Sequence, residues 1–285
     1  MSVPPVDPGV LTRSVAAALA EDLGSKGDVT TTAIVPAAAS GRATFVAREA
    51  MVVAGLAAAR EVFAQLDPGV RFASRVFDGA EIAAGTIVAE ASGPARALLA
   101  GERTALNFLQ RMSGIATATK DAVAEIAGTG ATILDTRKTA PGLRALDKHA
   151  VALGGGTNHR QGLYDAAMIK DTHLGAAVSL ADAIRKCRSA GIAQAAITAE
   201  VRSIEELDEA IEAGAGRALL DNMTVAQLAA CVRRGKGRIV LEASGGLRPG
   251  MLRAYAETGV EFLSLGYLTH SVRSADLAMD LVAAS

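Results

Sequence analysis

Aromatic residues are scarce in this chain: three Tyr, six Phe and no Trp, 3% of its 285 residues. A protein so poor in flat rings offers no platform for stacked bases, which argues against single-stranded nucleic acid as a ligand. An excess of charge is missing too, because 29 basic residues face 30 acidic ones for a net charge of −1. Such a balance provides no electrostatic footprint for nucleic acid or a membrane surface. Cysteine occurs only as Cys187 and Cys231, in helix-like stretches, without the spacing of a metal knuckle or redox pair. Both read as buried thiols. No apolar run is long enough to span a bilayer, and the opening MSVPPVDPGVLTRSVAAALAEDLG lacks a basic start followed by an apolar stretch. No signal peptide is expected, and the cytoplasm is the expected compartment. The phosphate-cradling G-x-x-x-x-G-K-[ST] loop, a Rossmann G-x-G-x-x-G after a strand, the zinc helix H-E-x-x-H and the G-x-S-x-G nucleophile elbow are all missing.

What is present is aliphatic: half of the chain is apolar, enough to bury a substantial core of Ala, Leu, Val and Ile. The chain changes character near residue 110. Before it, a helix over Leu11–Glu21 leads into strand-like RATFVAREA and MVVAGL, a helix over Ala57–Leu66, strand-like RFASRVFDG and TIVAEASG, and a helical run over Pro94–Met112. This mixed order predicts an α+β layer. After about Gly130, strands at ATILDT, AAMIKD, AITAEV, RALLDN, RIVLEAS and EFLSLG alternate with helical segments, the last being SADLAMDLVAA. Such alternation predicts parallel strands with right-handed crossovers. Six units fall short of a complete ring, so the expected fold is an open, incomplete α/β barrel.

Polar residues mark the strand ends of this second part. Lys138 follows the first strand and Lys170 ends the second; Glu200, Asp221, Glu242 with Ser244, and Gly266 close the next four. In a parallel barrel these ends share one rim, where such folds carry their chemistry. One charge at a strand end would be a solvated tip, but six such ends in a row favour a site. Arg103, Arg137, His159 and Arg160, with Lys138 and Lys170, form a cationic set. Arginine's planar fork matches a carboxylate bidentately, so a small ligand with more than one carboxylate would suit them. Any one of these arginines alone reads as a surface ion pair. Glu200 and Asp221 close successive strands and should be neighbours. Two acids with phosphate oxygens are how Mg²⁺ is commonly held, the alternative being a rim salt bridge to Lys138 or Lys170. Glycines in LEASGGLRPG and SLGYLTHS suit close approach of backbone N–H groups to a phosphate, aided by a helix N-terminus; tight turns need glycine anyway.

The combination of TRKTAPG, GGGTNHR and LTHS in this order, with EDLGSKGDVT, VAREAMVVAGL, GERTALNFLQRMSGIATAT, MIKDTHL, LLDNMT and LEASGGL, resembles the quinolinate phosphoribosyltransferase family along nearly the whole chain. The resemblance implies an α/β protein with an N-terminal α/β sandwich (residues 1–112, on which a closing C-terminal helix over 272–285 packs) and an open barrel (residues 113–271) carrying the active site. It implies transfer of a phosphoribosyl group from phosphoribosyl pyrophosphate to quinolinate with loss of CO₂, giving nicotinate mononucleotide for NAD biosynthesis. Arg103, Arg137, His159 and Arg160 are implied to bind quinolinate, with Arg103 reaching the neighbouring site of a homodimer. Lys138 and Lys170 are implied to contact substrate and phosphoribosyl pyrophosphate. Glu200 and Asp221 would serve Mg²⁺ and the ribose hydroxyls, and Ser244, Gly245, Gly246 and Gly266 the 5-phosphate.

Four positions depart from the family's usual pattern: Thr172 stands for Asn, Thr198 for Glu, Met51 for Gly and His149 for Tyr. Thr172 and Thr198, read as strand-end residues, would bear on the pyrophosphate or metal shell and hence on efficiency rather than reaction type. Three other readings stand beside this one: a fold-sharing paralogue group associated with molybdenum transport, a barrel lyase using Lys138 or Lys170 as a Schiff-base nucleophile, and a non-catalytic dimeric scaffold. Retention of both Arg137-Lys138 and Asn158-His159-Arg160 favours the transferase.

Overall fold

The structure, a computed structural model, describes residues 3–174 and 179–284. In chain order its elements begin with α1 (Pro8–Leu23), α2 (Val29–Ile34), β1 (Ser40–Ala47), β2 (Met51–Val52), α3 (Leu56–Leu66), β3 (Arg71–Ser74), β4 (Glu81–Ile82), β5 (Ile87–Pro94) and α4 (Ala95–Glu125). There follow β6 (Thr132–Leu134), α5 (Arg144–Leu153), β7 (Ala167–Ile169), α6 (Asp171–Leu174), α7 (Leu180–Ser189), β8 (Ile197–Val201), α8 (Ile204–Ala213) and β9 (Arg217–Asp221). The chain closes with α9 (Val225–Gly235), β10 (Val240–Ser244), α10 (Leu252–Ala256), β11 (Phe262–Ser264), α11 (Tyr267–His270) and β12 (Leu277–Ala284). Two compact units result: one of residues up to Lys120, Thr139–Gly155 and Thr269 onward, the other of Asp121–Lys138 and Gly156–Leu268.

In the first unit four antiparallel strands lie in the order β12-β1-β5-β3. Alternation along β1 sends Ala43, Phe45 and Ala47 inward, each with no exposed surface. Phe45, Phe63 and Phe72 pack ring to ring there, with centroids 5.8–6.1 Å apart. These are half of the chain's phenylalanines, concentrated in one small core. α1 starts on Asp7, whose carboxylate accepts the Val10 N–H at 2.9 Å, with Pro8 at the first helical position. α4 runs on from the expected helical stretch to Glu125, so residue 112 lies inside a helix rather than at a break. Within this unit Arg111 donates both Nε (2.8 Å) and Nη2 (2.7 Å) to the fully buried Asp147 of α5, and α5 therefore belongs here although it follows the first barrel strand.

The C-terminal segment corrects a sequence expectation. Residues 272–285 were expected to end in a helix, but Leu277–Ala284 form β12, paired antiparallel with β1 from Ala47↔Leu277 to Ser40↔Ala284. Ala, Leu and Met are good helix formers, and the local sequence reads that way. The period-two burial of Ala275, Leu277 and Met279, with Asp276 and Asp280 outward, wins because β1 offers a full-length edge.

The second unit is a six-stranded, all-parallel sheet in the order β6-β11-β10-β9-β8-β7. Its middle strands are buried on both faces, with Ala218 and Leu220 on one side of β9 and Leu219 on the other, and Leu241 and Ala243 on one side of β10 and Glu242 on the other. β6 and β7, consecutive in the chain, occupy opposite edges, and β6 is bridged on its free side at Leu134↔Thr157. The six expected barrel strands all form and the ring stays open. α7, α8 and α9 each begin on a hydroxyl cap: Ser179, Ser203 and Thr224, the last reciprocated by Gln227 in a capping box. Cys231 of α9 is buried as expected, whereas Cys187 of α7 is partly exposed; both are free thiols. Among the described residues no helix is long and apolar enough to cross a membrane.

Candidate active site

The C-terminal ends of the parallel strands surround a cavity of about 480 Å³. Arg137, Lys138, His159, Arg160, Lys170, Glu200, Asp221, Ser244, Gly245 and Gly246 all line it, so the fold gathers ten of the twelve residues singled out from sequence. Two are not among the lining side chains. Arg103 sits exposed on α4 in the other unit. Gly266 follows β11 by two residues and opens α11.

The cationic side of the cavity rests on a buried carboxylate. Asp135, fully buried just after β6, accepts the backbone N–H of His159 at 2.7 Å and the Asn158 amide at 2.8 Å. The Asn158-His159-Arg160 stretch is thereby fixed beside the strand that leads to Arg137. The His159 Nδ1 accepts the Arg160 N–H at 2.7 Å. That places the ring hydrogen on Nε2, which faces Glu242 Oε1 at 3.3 Å. Arg160 extends Nη1 to the Ala166 carbonyl at 2.8 Å. Burial, and then the neighbouring Arg137 charge, depress the Arg160 pKa against the pull of Asp165. Among the described residues the buried Nε of Arg137 has no hydrogen-bond partner. Two guanidinium groups thus lie close enough to repel, one with an unmet donor, which suits an anionic ligand with planar acceptors.

Glu242 lies beneath the cavity with no exposed surface; it meets His159 through Oε1 and Arg217 Nη1 through Oε2 at 2.8 Å, and the Ser264 hydroxyl donates to Oε1. Burial alone would raise its pKa, but these contacts outweigh that and hold it below the ordinary value. Arg217 also stacks over Phe262, 4.6 Å from the ring centre.

The acidic side is built on β8 and β9. Glu200 takes Lys170 Nζ at 3.3 Å on Oε2 and Arg202 Nη2 at 3.5 Å on Oε1. Asp221 accepts from Asn222 Nδ2 at 2.8 Å and faces Arg202 Nε at 3.7 Å. Asp171 anchors the same guanidinium at 2.8 Å; its pKa is lowered by the Thr172 N–H first and by Arg202 second. Among the described residues no group of three or more acids, His or Cys is arranged to hold a metal. Glu200 and Asp221 are a pair of hard oxygen donors that could do so only with ligands supplied by a substrate.

The glycine loop differs from expectation in one respect. β10 ends at Ser244, Gly245 and Gly246 take φ of 95° and 64°, and α10 begins only at Leu252. A second turn at Pro249-Gly250 intervenes, so these glycines do not sit at a helix N-terminus, and their backbone serves the cavity directly. A Cβ on Gly245 would come within 2.3 Å of Asn222 Oδ1 and 2.8 Å of the Asn222 backbone N. Thr198 also departs from expectation. It is the second residue of β8, buried, on the same strand face as Glu200 but one layer below the rim. Thr172 lies exposed in α6.

Sequence reasoning left out Asp135, Arg202 and Asn222 altogether, and noted Glu242 only as a strand end. Asp135 and Arg202 immediately follow β6 and β8, the position that singled out Lys170, and that signal applied evenly would have found them. Asn222 is the one non-glycine residue with positive φ among the described residues, a backbone property with no sequence signature.

An open parallel α/β sheet with cations, two acids and a glycine turn at its strand ends defines an enzyme class that acts on small polyanions. Residues 28–113 match the model of the N-terminal domain of quinolinate phosphoribosyl transferase, and residues 115–280 that of its C-terminal domain. The chain belongs to this family. It is 45% identical over 269 residues to the nicotinate-nucleotide pyrophosphorylase [carboxylating] of Mycobacterium leprae, covering 93% of this chain and 94% of that one. It is 44% identical over 261 residues to the probable enzyme of the same name from Bacillus subtilis, covering 92% and 90%. The solved nicotinate-nucleotide pyrophosphorylase of Francisella tularensis superposes with a TM-score of 0.91 at 35% identity, covering 99% of both chains.

Proposed function

We propose that this chain transfers the 5-phosphoribosyl group of phosphoribosyl pyrophosphate to quinolinate, releasing pyrophosphate and CO₂ and yielding nicotinate mononucleotide for NAD biosynthesis. The observation that carries the proposal is the Arg137–Arg160 pair: two neighbouring guanidinium groups in one cavity, one with an unmet buried donor. Family membership supplies the rest.

Arg137, His159 and Arg160 bind quinolinate, the two arginines taking its ring carboxylates, and orient the ring nitrogen, while His159 Nδ1 also holds the Arg160 backbone N–H. The nitrogen forms a bond to ribose C1 as the bond from C1 to the pyrophosphate oxygen breaks and the electron pair leaves with pyrophosphate. Lys138 and Lys170 neutralise the charge that builds on the departing group. Once the ring is a pyridinium, the bond to the 2-carboxylate breaks, the ring accepts the electron pair, and a proton from water replaces CO₂. Orientation and partial desolvation of that carboxylate suffice, without a separate base. Glu200 and Asp221 would hold Mg²⁺ together with pyrophosphate oxygens, the ion supplying further charge neutralisation when bound, and would also serve the ribose hydroxyls. Ser244, Gly245, Gly246 and Gly266 take the 5-phosphate. The assembly is a cytoplasmic homodimer in which Arg103 reaches the neighbouring site.

The test is incubation with quinolinate, phosphoribosyl pyrophosphate and Mg²⁺. Nicotinate mononucleotide and CO₂ are expected in equal amounts, and nicotinate in place of quinolinate should give no product. Failure to consume quinolinate would reject the proposal.

A further inference from the structure

Arg202 has no part in the steps above, yet its guanidinium faces three carboxylates. Nη2 lies 2.8 Å from Asp171 Oδ2 and 3.5 Å from Glu200 Oε1, and Nε lies 3.7 Å from Asp221 Oδ2. Only the first is a charge-assisted hydrogen bond of ordinary length. Its own backbone N–H donates to Glu206 at 2.6 Å, which fixes where the residue leaves β8. Arg202 is therefore tethered by Asp171 through Nη2, and the same Nη2 and the adjacent Nε are loosely shared with Glu200 and Asp221, the two acids that line the cavity.

We propose that Arg202 is a resident counter-cation. It holds Glu200 and Asp221 in the absence of a divalent ion and makes such an ion enter together with a pyrophosphate rather than alone. The inference rests on the reading of these two acids as the metal-holding pair. The oxygens that Arg202 faces are Glu200 Oε1 and Asp221 Oδ2, while Lys170 covers Glu200 Oε2 at 3.3 Å. A divalent ion bound by both acids must claim at least one oxygen already facing a cation. Asp171, Glu200 and Asp221 against Lys170 and Arg202 leave a single negative charge, which a bare divalent ion overshoots. A pyrophosphate entering with the ion removes that positive excess and offers new acceptors to both displaced cations. The contacts at 3.5 and 3.7 Å are long enough for Arg202 to turn aside without breaking its bond to Asp171.

The probe is Mn²⁺ titrated into the full-length protein without substrates, with free ion followed by electron paramagnetic resonance. The wild type should bind weakly, and Arg202→Gln should bind roughly ten-fold more tightly, the scale expected from removing one exposed cation that pairs with two acids. Arg202→Lys should resemble the wild type. Adding Glu200→Gln to Arg202→Gln should cancel the gain. Preformed manganese pyrophosphate should show the reverse order, binding the wild type more tightly than Arg202→Gln. A merely structural arginine predicts loss of binding on substitution, never a gain. Equal Mn²⁺ affinity in wild type and Arg202→Gln would overturn the inference, as would a gain that survives Glu200→Gln. Failure of the transferase reading shows separately, as absence of nicotinate mononucleotide in the substrate assay.

Discussion

The carboxylate of Asp135 accepts the backbone N–H of His159 at 2.7 Å, joining the end of the first barrel strand to a segment 24 residues further on. With the Asn158 amide contact to the same carboxylate, it fixes the backbone from which Arg160 extends. Both of its acceptor contacts to the 158–159 stretch are inside the protein, where an unmet donor costs about 1–3 kcal/mol. Asp135→Ala is expected to lower stability by roughly 3 kcal/mol on that scale. It should also cut kcat/KM for quinolinate by about 100-fold, because a small displacement of a binding group is enough to lose the reactive geometry. Asp135→Asn, which keeps one oxygen acceptor, should fall between. Chemical denaturation and steady-state kinetics on the pair of variants decide it; wild-type kinetics in Asp135→Ala would remove this residue from the argument.

Arg160→Lys retains the charge and removes the planar fork. A charged hydrogen bond is worth about 1.5–3 kcal/mol, so KM for quinolinate should rise roughly ten- to 100-fold. KM for phosphoribosyl pyrophosphate should stay within a factor of about two, a margin inside the context dependence of such contacts. An equal rise in both constants would show that Arg160 does not belong to the dicarboxylate end.

Gly245 carries a different kind of constraint. At φ of 95°, with a Cβ position 2.8 Å from the Asn222 backbone nitrogen, the site excludes a side chain. Gly245→Ala should cost about 1–3 kcal/mol in strain and displace the turn toward Asn222. KM for phosphoribosyl pyrophosphate should rise while KM for quinolinate changes little. A variant with unchanged stability and unchanged KM would show that the turn does not contact the sugar phosphate.

Glu242 gives the acid branch of the stability curve. Its pKa is depressed in the folded protein, so the folded state binds fewer protons than the unfolded chain between the two values. Stability from this group is present above the ordinary value of 4.5 and is lost as pH falls through the folded pKa. Glu242→Gln leaves Arg217 without its buried partner and should cost about 3–5 kcal/mol at pH 7. The gap between variant and wild type should then narrow below about pH 4.5 as the wild-type carboxylate protonates. Urea unfolding at a series of pH values measures this, and a gap that stays constant down to pH 3 would contradict the assignment of the low pKa to Glu242.

Much of the second unit could be read directly from residue order. Each barrel strand is a short apolar run closed by a polar residue, and α7, α8 and α9 between them have hydroxyl caps and a period near 3.6, so local preference and the final fold agree. Lys138, Lys170, Glu200, Asp221 and Ser244 were legible for the same reason, since a parallel sheet places every strand end on one rim, whereas Arg137, His159 and Arg160 stood out as a cationic set and Gly245 and Gly246 as a glycine turn. The N-terminal unit was legible only in outline. α2 went unpredicted and MVVAGL shrank to a two-residue strand, because short antiparallel pieces take their extent from partners rather than from their own sequence.

What the amino-acid order determined by itself was periodicity, strand-end chemistry and the family, all properties carried by neighbours within a few residues. Tertiary structure alone decided that Leu277–Ala284 is a strand, since only β1 supplies the edge that overrides helix preference. It alone decided that Arg202 leans on Asp171, Glu200 and Asp221, and that Asp135 holds His159. Those are contacts between groups far apart along the chain, and their energy exists only once the sheet has brought its strands into register.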